Sequence, residues 1–304
     1  MATLKGQNFR IRTVGADGKL RVVGMSTSCT ITLTNNTEDA THKDVVGNAT
    51  RQQVTSQTWS VQVESLDVTD TAAMLTAAKT FRKFTLWWDE TSTTNNQTII
   101  NSTDLTIGRK GEAYLNDATF TFNDRESSSK QLQFQGASPI ESIVGDHTEE
   151  ATVTAAGFTK GQYVRLLVAA VNSPLPIASA KQLSLHFSAQ MEDATTKDTE
   201  GSFQVQVPVS YSYDISTTAL MRSDETITSQ VGAQTVADIE QFYQNAADIT
   251  WEIANMGGAN QRTKQSTICS GTAIPTTMTL NGPNRQNADY TAQFAGQGEL
   301  SVAA

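Results

Sequence analysis

The feature that most constrains this chain is an internal repeat. Glu38-Asp39-Ala40-Thr41-His42-Lys43-Asp44 returns as Glu192-Asp193-Ala194-Thr195-Thr196-Lys197-Asp198. At the same offset Gly47 falls on Gly201, Gln52 on Gln206, Ser56 on Ser210, Trp59 on Tyr213 and Leu66 on Leu220. Towards the N-terminus Leu33 falls on Phe187, Ile31 on Leu185, Val14 on Val168 and Phe9 on Tyr163, without a gap from residue 9 to 66. The second copy then needs an insertion, after which Thr85-Leu86-Trp87-Trp88 matches Ile249-Thr250-Trp251-Glu252. Near the ends, Gln133-Phe134-Gln135-Gly136 resembles Gln293-Phe294-Ala295-Gly296. Agreement in order at three places is not chance, and a repeat of this kind decides the architecture before any local reading does. The sequence divides into copy one (1–140), a connector (141–160) and copy two (161–304). Pro139 marks the boundary because proline stops sheet pairing and disfavours helix before it. A short strand at Ala151–Ala155 is the only element expected in the connector.

Within a copy, Phe9–Val14, Ser28–Leu33 and Thr58–Val63 alternate in period two, as half-buried strands do, and a strand is also expected at Leu20–Val23. Gly15-Ala16-Asp17-Gly18 is a turn. Asp70–Phe81 is the one good helix, with Thr69 or Asp70 to cap it and an apolar stripe of Met74, Leu75 and Ala78. Thr235–Tyr243 repeats it. Further strands are expected at Phe84–Trp88, Ile99–Ile107, Ala113–Phe122 and Gln131–Gln135. The fold class is therefore mostly β, with two tandem copies of a sandwich or barrel, each with one flanking helix. Asn35–Thr55 and its counterpart Ala189–Val209 are long polar segments without a clear period. Loops of such length tend to be functional, and both are read as arms that dock on a neighbouring subunit. The contact residues expected there are Glu38, Asp39, Thr41, Lys43 and Asp44 in the first arm, and Glu192, Asp193, Thr195, Lys197 and Asp198 in the second.

Charge and composition narrow the function. The net charge is -9 over 304 residues, which disfavours gripping nucleic acid through its phosphates. Residues 1–145 hold 14 basic and 15 acidic side chains, and the remainder 8 and 16. No apolar run approaches a membrane span, and Met1–Gly6 lacks the apolar stretch of a secretory signal. Two cysteines, Cys29 and Cys269, make no disulfide framework. The three histidines have no second ligand at zinc spacing, and no cofactor is implied. Gly24-Met25-Ser26-Thr27-Ser28 lacks the last glycine of a hydrolase elbow. Glu38, Asp39 and Asp44 do not have EF-hand spacing, and Lys43 sits among them. Gly15–Gly18 and Gly257-Gly258 lead into no lysine-bearing helix, so they are turns rather than phosphate loops. Trp59, Trp87, Trp88 and Trp251 are read as core rather than a sugar platform. An enzyme is the weakest reading.

These residues resemble a known family. A loop running Glu-Asp-Ala-Thr, then Lys-Asp and Gly, follows an alternating strand. Ser56-Gln57-Thr58-Trp59 comes next, and an alanine-rich helix leads to a strand with Trp87-Trp88. This is similar to the major tail, or tail tube, protein of long-tailed bacteriophages, best over residues 1–138 and through the duplication over 161–304. The chain departs from the common form in its doubled length and in the insertion of copy two. The resemblance implies hexameric rings stacked into a hollow tube, with an inner β-barrel continuous between subunits, helices outside and arms reaching the adjacent ring. Two domains per chain imply trimeric rings of pseudo-sixfold symmetry. It also implies a virion location after synthesis in the bacterial cytoplasm, and partners in the tape-measure, tail terminator and baseplate proteins. DNA would pass through an acidic lumen without specific binding, and much of copy two's excess charge is expected to face it. The alternatives are a tube protein of a contractile injection or secretion machine, and a β-sandwich adhesin or carbohydrate-binding module.

Overall fold

The structure is a computed structural model. It describes residues 6, 9–14, 20–23, 26–42, 44, 49–66, 68, 70–90, 108–143, 161–170, 173–197, 199, 202–221, 233–257 and 263–303. Several expectations lie outside these residues: the turn at 15–18, the strand at 99–107, the connector beyond residue 143, and the arm residues Lys43 and Asp198.

The first half contains β1 (Phe9–Val14), β2 (Leu20–Val22), β3 (Ser26–Asp39), β4 (Gln52–Ser65), α1 (Thr71–Lys79), β5 (Phe84–Glu90), β6 (Gly108–Asn123), β7 (Ser129–Gly136) and the short β8 (Glu141–Ser142). The second contains β9 (Val164–Ala169), β10 (Leu175–Pro176), β11 (Ala180–Asp193), β12 (Gln206–Leu220), α2 (Val236–Gln244), β13 (Ile249–Gly257), β14 (Thr263–Asn281) and β15 (Asp289–Val302). Strands pair in the order β2-β1-β5-β6-β7-β4-β3 in the first half and β10-β9-β13-β14-β15-β12-β11 in the second. These are the same order once β9–β15 are set beside β1–β7. The irregularities recur too. The β3–β4 ladder shifts register at Ser26/Ser28 and at Asn36/Thr37, and the β11–β12 ladder shifts at the equivalent positions of the repeat, Ala180/Gln182 and Gln190/Met191. The β6–β7 ladder shifts at Leu115/Asp117. The β14–β15 ladder shifts at Pro275/Thr277, the same place once Ala113↔Gly136 is laid on Ala273↔Gly296. The halves are joined, because β6 pairs with β11 and the described strands all belong to one sheet.

One side of this sheet is apolar and carries the helices. In the first half Trp59 and Trp88 lie 5.4 Å apart at its centre; in the second Tyr213 and Trp251 lie 5.6 Å apart. The ladders correct the sequence match by one residue: Leu86 pairs with Gly111 and Trp251 with Gly271, so with Ala113 laid on Ala273 Trp251 falls on Leu86, on the face it shares with Trp88, and not on Trp87. A one-residue slip turns a strand side chain to the opposite face. Trp87 is accordingly in a separate small cluster with Ile143, packed by Val14, with Lys110 over its ring. Two glycines let the central rings lie flat on the strands. A Cβ at Gly136 would stand 2.4 Å from Trp59, and one at Gly296 would stand 2.2 Å from Tyr213.

Both helices form where expected, but they begin differently. Asp70 stands at the N-cap of α1 without a side-chain hydrogen bond to the helix. Its carboxylate is held instead by the ammonium of Lys130, which is fully buried. In α2 the Thr235 hydroxyl accepts from the Asp238 amide, and the Asp238 carboxylate accepts from the Thr235 amide at 2.8 Å, a complete capping box.

The polar segments are not loops throughout. β3 runs to Asp39 and β4 resumes at Gln52, so the first arm is a long β-ribbon, closed at its tip where the Ala40 amide donates to the Arg51 carbonyl. The ribbon projects beyond the core and is solvated on both faces, which removes the period-two pattern that would have revealed it. The second arm is built in the same way, with β11 ending at Asp193, β12 resuming at Gln206 and the Ala194 amide donating to the Val205 carbonyl.

Candidate assembly surfaces

The junction between the halves is a two-faced β-ladder. Its residue pairs run from Gln182↔Asn123 to Ser188↔Asp117. On the apolar side Leu185 and Phe187 of β11 are buried beside Phe120 and Ala118 of β6. Each large side chain buried there contributes roughly 1.5–3 kcal/mol. On the polar side His186 bridges the halves: its Nε2 is 2.8 Å from Asp117 Oδ2 on β6, and its Nδ1 is 2.8 Å from Asp214 Oδ2 on β12. Burial alone would lower the pKa of this imidazole. The two carboxylates outweigh it and hold the pKa above its usual value. Further contacts lock the halves. Lys79 at the end of α1 donates to Glu299 Oε1 at 2.8 Å and to the Leu300 carbonyl at 3.0 Å. Phe81, held at φ 52, meets Tyr211 edge-on.

The two arm turns are built from the same bonds at equivalent positions of the repeat. In the first, the Thr41 amide donates to Asp39 Oδ1 at 2.8 Å, the Arg51 amide to Thr41 Oγ1 at 2.9 Å, and the Ala40 amide to the Arg51 carbonyl at 2.8 Å. In the second, the Thr195 amide donates to Asp193 Oδ1 at 2.8 Å, the Val205 amide to Thr195 Oγ1 at 2.9 Å, and the Ala194 amide to the Val205 carbonyl at 2.8 Å. Hydrogen bonds from these threonines keep both aspartates below the usual carboxylate range. Asp39, Thr41, Asp193 and Thr195 are therefore brought together as two turns. Glu38, Asp44, Glu192 and Lys197 stand exposed beside them.

The second arm does not hang free. The Gln57 amide of β4 donates to the Ser202 carbonyl at 2.6 Å, and the Gln204 amide donates to the Gln57 carbonyl at 2.9 Å. Phe203 between them is buried in a hollow with Leu33, Trp59, Pro139 and Ile140. This arm thus continues the sheet beside β4 of the first half of its own chain.

The face of the sheet opposite the helices is hydroxyl- and amide-rich. Paired rows cross it, such as Gln62–Gln133–Asp117–Ser188–Ser212 and Thr121–Ser184–Ser216–Gln293–Thr277. Asp117 and Asp214 share His186 on this face, and Asp289 alternates onto it with Thr291 and Gln293, while Glu192 and Asp193 are on the arm and Glu252 is nearly buried with Lys264 and Thr267. The two thiols are unpaired; Cys29 is half-buried and Cys269 buried, and burial raises the pKa of each. No group of three or more His, Cys, Asp or Glu among the described residues is placed to hold a metal ion. No described helix is long and apolar enough to cross a membrane.

Sequence reasoning missed the His186 bridge and the seat of Phe203. The first left no local signal, since its partners are 69 and 28 residues away. The second was readable only as an isolated aromatic in a polar arm.

The described strands thus form one antiparallel sheet with open edges and two long arm ribbons. The family described as phage tail tube protein matches residues 175–302, a span inside the second copy as the sequence divides it. The resemblance drawn from the sequence is thus borne out over that span, and with it a structural rather than enzymatic role. No curated protein matches. Among solved structures, a chain in the tail of an empty gene transfer agent particle, refined with C6 symmetry, is similar at 16% identity and a TM-score of 0.39, covering 48% of this chain and 99% of that one. A chain in the virion of a native gene transfer agent particle gives 17%, 0.37, 48% and 99%. A chain of the anti-feeding prophage baseplate gives 12%, 0.31, 46% and 91%.

Proposed function

We propose that this chain is a tail tube subunit with two tube domains, and that three copies close a ring of six similar domains. Rings stack into a hollow tube in the virion tail, through which DNA is ejected. The observation that carries this reading is the recurrence of one strand order in both halves, with the same ladder irregularities and the same arm turns. Two similar units already joined edge to edge by β6 and β11 have the geometry of one step around a ring. Repeating the step removes open edges, which otherwise invite uncontrolled pairing. Contacts between stacked rings do not close on themselves, so they extend a filament. The hydroxyl- and amide-rich face is the bore lining in this reading. Its paired rows are mostly uncharged and offer DNA phosphates little to bind. The arms reach the adjacent ring, the first through Glu38, Asp39, Thr41, Lys43 and Asp44, and the second through Glu192, Asp193, Thr195, Lys197 and Asp198. Tape-measure, terminator and baseplate proteins are the other partners.

The experiment is negative-stain electron microscopy of the purified protein at rising concentration. Hollow filaments of uniform width with a stain-filled bore are expected, and a ring average with three chains and six lobes. Monomers at every concentration, with and without a purified tail-initiation complex, would sink the reading.

A further inference from the structure

The internal junction joins β11 of the second half to β6 of the first, from Gln182↔Asn123 to Ser188↔Asp117. The equivalent strands are β3 and β14, and each has an open edge among the described residues. β3 pairs there only with β4. β14 pairs with β13 over Thr263–Ala273 and with β15 over Cys269–Asn281, which leaves one side of positions 277–281 without a described neighbouring strand.

Two exposed side chains mark these edges. Leu33 on β3 is 67% exposed and Leu280 on β14 is 51% exposed. Their counterparts at the internal junction, Phe187 and Phe120, are both 0% exposed. Large aliphatic side chains left in water at the two positions that are buried in the internal junction mean that each edge lacks a partner.

We infer that β14 of one chain pairs antiparallel with β3 of the next, in the register Thr30↔Asn281, Ile31↔Leu280, Thr32↔Thr279, Leu33↔Met278 and Thr34↔Thr277. The partner is a second copy of this chain. The inference rests on the tube reading and deepens it. The register follows by transferring the internal one. Matching Leu33↔Trp59 to Phe187↔Tyr213 lays β3 on β11. Matching Ala113↔Gly136 to Ala273↔Gly296 lays β6 on β14. His186↔Thr119 in the internal ladder thereby becomes Thr32↔Thr279 between chains. Alternation supports the register independently. It sends Ile31, Leu33, Met278 and Leu280 to the apolar side and the threonines to the polar side, so both edges keep their faces. The polar bridge is not repeated, since Thr32 stands where the internal junction has His186. The interface is heterologous, β3 at one end of the chain and β14 at the other, so it propagates around a ring.

The test is cysteine cross-linking of the full chain in a Cys29→Ser background. Residues directly opposite in an antiparallel pair have Cα atoms about 4.5–5.5 Å apart, within disulfide range, whereas a pair shifted by two residues lies beyond about 7 Å. Under mild oxidation T32C/T279C is expected to link chains at least tenfold faster than the shifted pair T32C/N281C, with covalent products ending at three chains. Rings or tubes in which the shifted pair links as fast, or in which neither pair links, would overturn the inference and leave the tube reading standing. A chain that stays monomeric beside its initiation complex and never links would overturn both.

Discussion

At the scale of single residues, the Lys130–Asp70 pair has an asymmetry that can be measured. The Lys130 side chain is 0% exposed and that of Asp70 34%. Removing the carboxylate strands a buried ammonium, whereas removing the lysine leaves a carboxylate that water can reach. Asp70→Ala is therefore expected to cost about 3 kcal/mol, more than Lys130→Met, because an uncompensated buried charge dominates such losses. Urea unfolding of the two variants checks the order. The glycine slots give a second expectation. Gly136→Ala places a methyl inside the Trp59 ring contact and should cost about 1–3 kcal/mol by overpacking, and Gly296→Ala should do the same against Tyr213. His186 gives a third. Its pKa is raised in the fold, so the stability it contributes is complete below its unfolded value near 6.5 and is lost as pH rises through the folded value. The ring is 41% exposed, so solvent screening limits the effect to less than about 1 kcal/mol. Unfolding midpoints measured across pH 5.5–8.5 should decline for the native chain, and His186→Gln should flatten that decline.

Elements show what the sequence carried and what it could not. α1, α2 and the half-buried strands were legible because they alternate apolar and polar positions against one core. The ribbons were not, because a strand solvated on both faces loses that alternation. The offset match placed the arm turns correctly, since Asp39/Thr41 and Asp193/Thr195 make bonds within a few residues of themselves. It misplaced Trp251 by one position, onto Trp87 instead of Leu86, because it matched a tryptophan to a tryptophan, and only the ladder registers show the shift. Thr235→Ala removes the hydroxyl of a full capping box and should cost about 1 kcal/mol, read by thermal unfolding. The arms should respond differently to deletion. Replacing Thr37–Gln53 by a short Gly-Ser turn is expected to leave the fold intact and abolish stacking. Replacing Met191–Val207 should also lower the unfolding temperature, because it withdraws Phe203 from its seat beside Trp59. Normal-length tubes from either deletion would remove the arms from the stacking contact.

For the whole molecule, the decisive feature is that β6–β11 joins two similar units inside one chain. Asp117 meets His186 there, and Lys79 meets Glu299 nearer the chain's end; these partners are far apart in sequence, and no motif scan of one copy reveals the meeting. The exposed Leu33 and Leu280, set against buried Phe187 and Phe120, mark the edges proposed to make the same meeting between chains. Leu280→Lys is expected to leave a folded monomer, with unchanged circular dichroism, that fails to form rings in analytical ultracentrifugation.

Holding both units in one chain also changes the statistics of assembly. Six separate domains closing a ring make five associations and three joined pairs make two, and each association costs on the order of several kcal/mol of lost translation and rotation. Within a chain the second unit is always present at an effective concentration set by the tether rather than by synthesis. Growth should therefore begin at a lower free subunit concentration than for a single-unit chain with equal edges. The proposed ring has two kinds of seam, and stress on such a tube would fall on the three seams between separate chains.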